Sequence, residues 1–147
     1  IVIDAGGLYY MKEFGCPSSA IITPHPGEAA MLLECSVEEL QKNRLEAAKE
    51  LYKRYNCLII LKGYQTIVFD GEAYQCTDGG PALSTAGTGD VLAGLIGSFL
   101  AQGLSKIDAA RFSVAIHGAA GDKFSKNKGG RGLTATKLIK IINEEML

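Results

Sequence analysis

This sequence predicts an α/β fold, a mostly parallel three-layer sheet with one antiparallel hairpin at its edge. Three observations carry that expectation. Short apolar, β-branched runs alternate along the chain with segments of helical periodicity. One run, Cys57-Leu-Ile-Ile-Leu61, is apolar at every position, as in a parallel strand covered on both faces. Two further runs, Thr66–Phe69 and Ala73–Cys76, flank Asp70-Gly71, a dipeptide suited to a tight hairpin.

Ile1–Ile3 reads as a strand whose carboxyl end delivers Asp4, and Tyr9–Phe14 as a short helix ahead of Gly15 and Pro17. Ala20–Ile22 is a second strand, stopped by Thr23-Pro24-His25-Pro26-Gly27. Two prolines so close together exclude ladder pairing and stiffen that loop. Glu28–Leu33 is helical. Ser36 with Glu39 forms a capping-box pattern, repeated by Asn43 with Glu46. The second box opens a helix to about Tyr55, with Leu45, Ala48, Leu51, Tyr52 and Tyr55 at helical spacing.

Beyond the hairpin, a glycine-rich loop from Asp78 to Gly89 leads into a helix from Asp90 to about Ala101. That helix is apolar almost all round and so predicted to be buried. Ser105 with Asp108 caps a helix to about Phe124, Lys126–Arg131 is a polar loop, and Thr134 caps a last helix through Glu144. No composition shift marks a domain boundary within 1–147. The opening Ile1-Val2-Ile3 reads as a strand already inside a core. The expectation is that preceding sequence or another subunit, as in a homo-oligomer, stands beside it.

The length of 147 residues suffices for a hydrophobic core. Fifteen basic against sixteen acidic residues leave a net charge of −1, so no bulk field draws nucleic acid or anionic lipid. No apolar run reaches the roughly 18 residues of a membrane span, and the first residues lack a signal-peptide pattern. Cys16, Cys35, Cys57 and Cys76 form no C-x-x-C pair, which favours reduced thiols in a cytoplasmic protein over zinc ligands.

The strongest chemical signal is Ser84-Thr-Ala-Gly87-Thr88-Gly89-Asp90-Val-Leu-Ala-Gly94. Glycines at 87 and 89 allow a tight turn that converges backbone N–H groups on one point. The helix starting there adds unpaired amides and its positive dipole end, a site for a phosphate. Asp90 at its edge can act as a general base, or it can merely cap the helix. His117, among small apolar neighbours in a helix, reads as a packing residue rather than a ligand.

Gly87–Gly94 resembles the anion-hole motif of ribokinase-fold enzymes. Thr23-Pro-His-Pro-Gly-Glu28 and Leu61-Lys-Gly-Tyr-Gln-Thr66 narrow the match, with Ile3-Asp-Ala5 before them and His117-Gly-Ala-Ala-Gly-Asp122 after. Together they resemble the YjeF C-terminal family of ADP- or ATP-dependent NAD(P)H-hydrate dehydratases. The resemblance covers essentially this whole chain but only about the C-terminal half of the family's domain. The glycine turn alone is shared with sugar and vitamin kinases.

The resemblance implies a ribokinase-like fold and a set of roles. His25 would line the pocket for the hydrated nicotinamide cofactor. Glu28 would stand near phosphate or Mg²⁺-bound water, although it could equally be a favourable charge in a first helical turn. Lys62, Gly63, Tyr64, Gln65 and Thr66 would bind ADP or ATP, together with Gly89. Gly87, Thr88 and Gly89 would form the anion hole, and Asp90 would contact substrate and take its proton. No residue set points to a directly bound metal. The activity implied is phosphorylation of the ring hydroxyl of NADHX or NADPHX followed by loss of phosphate. The alternatives are a vitamin or sugar kinase of the same fold, or a non-catalytic nucleotide-binding remnant. Two departures stand out: Gly6 replaces a second aspartate usual in the family, and the family's glycine-rich substrate-binding segment lies outside these residues.

Overall fold

Every strand among the described residues falls within the first 75 positions of the computed structural model, which describes residues 1–145. The chain divides into two compact units, Ile1–Gln75 and a second beginning at Cys76.

In the first unit the order is β1 (Val2–Ile3), α1 (Gly6–Phe14), β2 (Ile21–Ile22), α2 (Pro26–Leu33), α3 (Val37–Lys42), α4 (Arg44–Tyr55), β3 (Leu58–Leu61), β4 (Ile67–Phe69) and β5 (Ala73–Gln75). The strands line up in sequence order as one five-stranded sheet. β1, β2 and β3 pair in parallel, with Val2 opposite Ile21 and Ile21 opposite Leu58. β3–β4 and β4–β5 pair antiparallel. Four strands therefore run one way and β4 alone runs against them, a mixed sheet with the expected hairpin at one edge.

Alternation places Ile22, Ile59, Leu61, Ile67 and Phe69 on one sheet face, packed on Leu8, Ala29, Leu32, Ala48 and Leu51 of the helices. Tyr52 meets Phe69 edge to face at 5.3 Å between ring centroids. On the opposite face Ile21, Leu58, Ile60 and Val68 are fully buried too, which accounts for the continuous apolar runs. β5 differs, with Ala73 and Gln75 exposed as befits an edge. Both predicted caps of α3 and α4 form: Ser36 Oγ accepts from Glu39 N–H, and Asn43 Oδ1 from Glu46 N–H.

The second unit holds a 3₁₀ turn at Pro81–Leu83, then α5 (Thr88–Ala101), α6 (Lys106–Lys128) and α7 (Ala135–Glu145). Ala82, Val91, Ala120, Phe124, Leu133, Leu138 and Ile142 form its core cluster. Two sequence expectations are corrected here. α5 is buried only at Thr88, Val91, Leu92 and Ile96, while Gly94, Gly97 and Ser98 are exposed. Its apolar composition reflects small residues rather than cover on all sides. α6 runs through Lys126-Asn127-Lys128, because nothing in that polar stretch breaks a helix before Gly129, whose φ of 69° closes it as a left-handed cap.

A Cβ added at Gly129 would meet nothing within 4 Å, so only backbone conformation is at stake there. Gly129→Ala should therefore lower stability by about 1 kcal/mol in thermal or denaturant melting. A loss of several times that would mean that the helix end does more than turn the chain.

Candidate active site

Because β1, β2 and β3 are parallel, their carboxyl ends open on one edge, where α/β sheets collect ligands. Asp4 follows β1, Thr23 follows β2 and Lys62 follows β3. Lys62 Nζ reaches Asp4 Oδ1 at 2.7 Å and Glu28 Oε2 at 3.8 Å, and the three side chains are only 10–18% exposed. Backbone bonds tie the same ends together, Thr23 N–H to Ile3 O at 3.2 Å and Lys62 N–H to Pro24 O at 2.9 Å. Burial alone would raise the pKa of Asp4. The hydrogen bonds from Lys62 and the Thr23 hydroxyl, with the Lys62 charge, outweigh it and hold the carboxyl below its ordinary value.

His25 is the N-cap of α2. Its Nδ1 accepts from Gly27 N–H at 3.0 Å and Glu28 N–H at 3.2 Å. Glu28 completes a capping box by accepting His25 N–H at 2.7 Å. The geometry makes Nδ1 the unprotonated nitrogen, so neutral imidazole carries its proton on Nε2. Nε2 lies on a half-exposed side chain, 3.6 Å from Glu28 Oε1. Glu28 is thus both a first-turn charge and one wall of the Lys62 cluster.

Lys62–Thr66 is the hairpin turn joining β3 to β4, closed by Leu61 opposite Ile67. Thr66 Oγ1 donates to Gly63 O at 3.0 Å. Gln65, left-handed at φ 55°, accepts from Gln75 Nε2 at 2.8 Å. Tyr64 projects into solvent. Gly63 sits at φ +129°, and a Cβ there would lie 3.0 Å from Arg44 Nη1. Arg44, not anticipated from the sequence, donates through Nη2 to Leu61 O at 3.1 Å and Lys62 O at 3.2 Å. It has no carboxylate partner among the described residues, and desolvation lowers its pKa.

In the second unit the glycine turn starts α5 with Gly87 as N-cap, at φ 86° and with no capping side chain. Thr88 departs from its expected place among the anion-binding amides. Its N–H donates to Thr85 O at 3.2 Å and its hydroxyl to Leu83 O and Thr85 O at 2.6 and 2.8 Å. Thr88 therefore locks the turn, and the amides of Gly89 and Asp90 remain without a partner among the described residues. Asp90, the third helical residue, is exposed and makes no hydrogen bond among the described residues, so it does not cap the helix. It stands at the rim of a cavity of about 440 Å³ between α5 and α7, lined by Val91, Leu95, Ala135 and Ile139 among others. His117, read from sequence as packing, places Nε2 2.8 Å from Thr88 O.

Removing the ammonium from the strand ends leaves Asp4 and Glu28, each at most 14% exposed, without the positive charge between them. Lys62→Met should cost roughly 3 kcal/mol in denaturant melting, and no loss would show that the pair contributes nothing to folding. Because the pKa of Asp4 is lower folded than unfolded, its contribution is complete above the unfolded value of about 3.9 and is lost as pH falls through the folded value. Melting temperature should thus fall more steeply below about pH 4 in the parent than in Asp4→Asn. Parallel pH profiles for the two would contradict the assigned shift.

A family model for NAD(P)H-hydrate dehydratase matches residues 1–144. The bifunctional NAD(P)H-hydrate repair enzyme Nnr of Vibrio cholerae is 42% identical over 145 residues, 97% of this chain and 29% of that protein. The ADP-dependent (S)-NAD(P)H-hydrate dehydratase of Neisseria meningitidis is 41% identical over 149 residues, 94% of this chain and 50% of the relative. Among solved structures, the ADP/ATP-dependent NAD(P)H-hydrate dehydratase of Bacillus subtilis, co-crystallised with ATP/Mg²⁺, aligns with a TM-score of 0.89 at 34% identity. It covers 97% of this chain and 52% of that one. A ribokinase-like superfamily protein of Enterococcus faecalis aligns at 0.86 and 29% identity, over 99% of this chain and 51% of its own. The fold is thus the ribokinase-like α/β fold. The chain spans half or less of the length of these curated relatives. Since the family match runs through all three motifs, and not only the glycine turn shared with sugar kinases, the chain belongs to the NAD(P)H-hydrate dehydratase family.

Proposed function

We propose that this chain serves the ADP- or ATP-dependent repair of hydrated NADH and NADPH, as the C-terminal portion of one ribokinase-like nucleotide-binding domain. The observation that carries the reading is Asp90. It is an exposed carboxylate without a partner among the described residues, on the first turn of a helix whose adjacent amides also find none there. A helix start left uncapped in this way suits an anion, and a free carboxylate beside it suits a proton acceptor.

The terminal phosphoryl group of the nucleotide meets the amides of Gly89 and Asp90. Asp90 takes the proton of the ring hydroxyl as its oxygen bonds to phosphorus, and the bond from phosphorus to the departing nucleotide breaks. Inorganic phosphate then leaves with the electrons of the ring C–O bond while the neighbouring carbon loses a proton, and the new C=C bond restores the dihydronicotinamide. Taken by itself, the first unit offers His25 Nε2–H as a donor to substrate and the Lys62–Thr66 turn as a nucleotide contact. Mg²⁺ would supply charge neutralisation at the phosphates. Glu28 would stand near a water of that cation, and no group of three or more metal-ligating side chains occurs among the described residues. The names of the Neisseria and Bacillus relatives support the nucleotide and the reaction.

Asp90→Asn should lower turnover of NADHX by a factor on the order of 10² or more while calorimetry shows ADP or ATP binding nearly kept. Near-normal turnover would remove Asp90 from the chemistry. Formation of a stable phosphorylated vitamin alcohol, with no NADH regained from NADHX, would replace repair with a kinase activity.

A further inference from the structure

The His117-Gly-Ala-Ala-Gly-Asp122 segment has no part in the chemistry above, yet it grips the whole glycine-rich loop. On α6, positions 117, 118, 121 and 122 fall on one face because they are spaced by one and four residues. His117 Nε2 lies 2.8 Å from Thr88 O at the far end of the loop. A carbonyl can only accept, so Nε2 carries the proton. Asp122 Oδ2 accepts Gly79 N–H at 3.1 Å at the near end. Between them the helix surface is bare. A Cβ at Gly118 would fall 2.8 Å from Asp78 O, and one at Gly121 would fall 2.6 Å from Leu83 Cγ.

The geometry points to a positioning clamp: His117 and Asp122 hold the two ends of the loop from Gly79 to Thr88 so that the Gly89 and Asp90 amides face an anion in fixed orientation. The consequence for nucleotide binding rests on the function proposed above. The loop needs such support because its own sequence is permissive, with Gly79 at φ +100° and Gly87 at φ +86°. Preorganised donors bind a developing charge without paying to orient at the moment of binding. Thr88 is the coupling point, since its hydroxyl, N–H and carbonyl are all engaged within the clamp.

Two readouts test this in the intact protein. Hydrogen exchange of the 78–90 segment, measured without ligand, should rise about tenfold in His117→Leu, which removes the bond to Thr88 O, and in Asp122→Ala, which removes the bond from Gly79 N–H. Calorimetry with ATP and Mg²⁺ should show a dissociation constant weakened by a similar factor, with KM for nucleotide rising more than kcat falls. His117→Gln, whose amide can still donate to Thr88 O, and Asp122→Asn, whose carbonyl can still accept from Gly79 N–H, should recover most of both effects. Unchanged exchange in both disruptive variants, or no recovery in the conservative ones, would reduce the segment to packing. Should one disruptive variant fail to fold, the other decides through the opposite end of the loop. A parent protein that binds no ATP sinks the proposed function, and the ligand-free exchange still decides the clamp.

Discussion

The ion pair between Lys62 and Asp4 is the constraint on which the first unit's site depends. Three short parallel strands end side by side, and two of them deliver carboxylates or their neighbours into a space only 10–18% exposed. Without a cation there, the carboxylates of Asp4 and Glu28 would repel each other in a medium that screens poorly. With Lys62 between them the strand ends are drawn together, and the amide of the same residue bonds Pro24 O. The ammonium is therefore committed before any nucleotide arrives. Its effect on nucleotide affinity would combine direct contact with the positioning of Glu28, and only a double-mutant cycle with Asp4 would separate the two.

The second unit solves the opposite problem. A helix start normally finds a capping side chain, and a glycine in its place costs about a few tenths of a kcal/mol. α5 begins instead at a glycine with no capping side chain, and Thr88 spends its hydroxyl on two loop carbonyls rather than on the helix amides. The stability forgone at the cap appears as unsatisfied N–H groups in one place, which is the physical content of an anion site. Arg44 does the comparable service at the β3–β4 turn, where its guanidinium satisfies two consecutive carbonyls and fills the space that makes Gly63 a glycine.

What was legible in the sequence was local. The apolar runs, the Asp70-Gly71 hairpin and the Ser36 and Asn43 caps each act within a few residues and formed as expected. The tight reversal at Lys62–Thr66 was not legible, because it depends on the positive φ of Gly63 and Gln65. The exposed side of α5 was hidden because hydropathy reports what could be buried, not what is covered. Arg44, and the partner of His117, were out of reach for another reason. The two ends of each contact lie 17 to 29 residues apart, beyond any periodicity or capping pattern.

His25 shows how a local structural role and a chemical one can share a side chain. A serine or aspartate at the N-cap of α2 would satisfy the amides of Gly27 and Glu28 equally well. Imidazole does so through Nδ1 alone, which fixes the tautomer and turns Nε2–H outward, next to the buried carboxylate of Glu28. Pro24 and Pro26 on either side restrict the backbone, so the ring has little freedom left. The cap explains where the histidine is held. It does not explain why histidine rather than serine is there, and the one feature that only imidazole adds is a fixed, outward-facing donor at the edge of the Lys62 cluster.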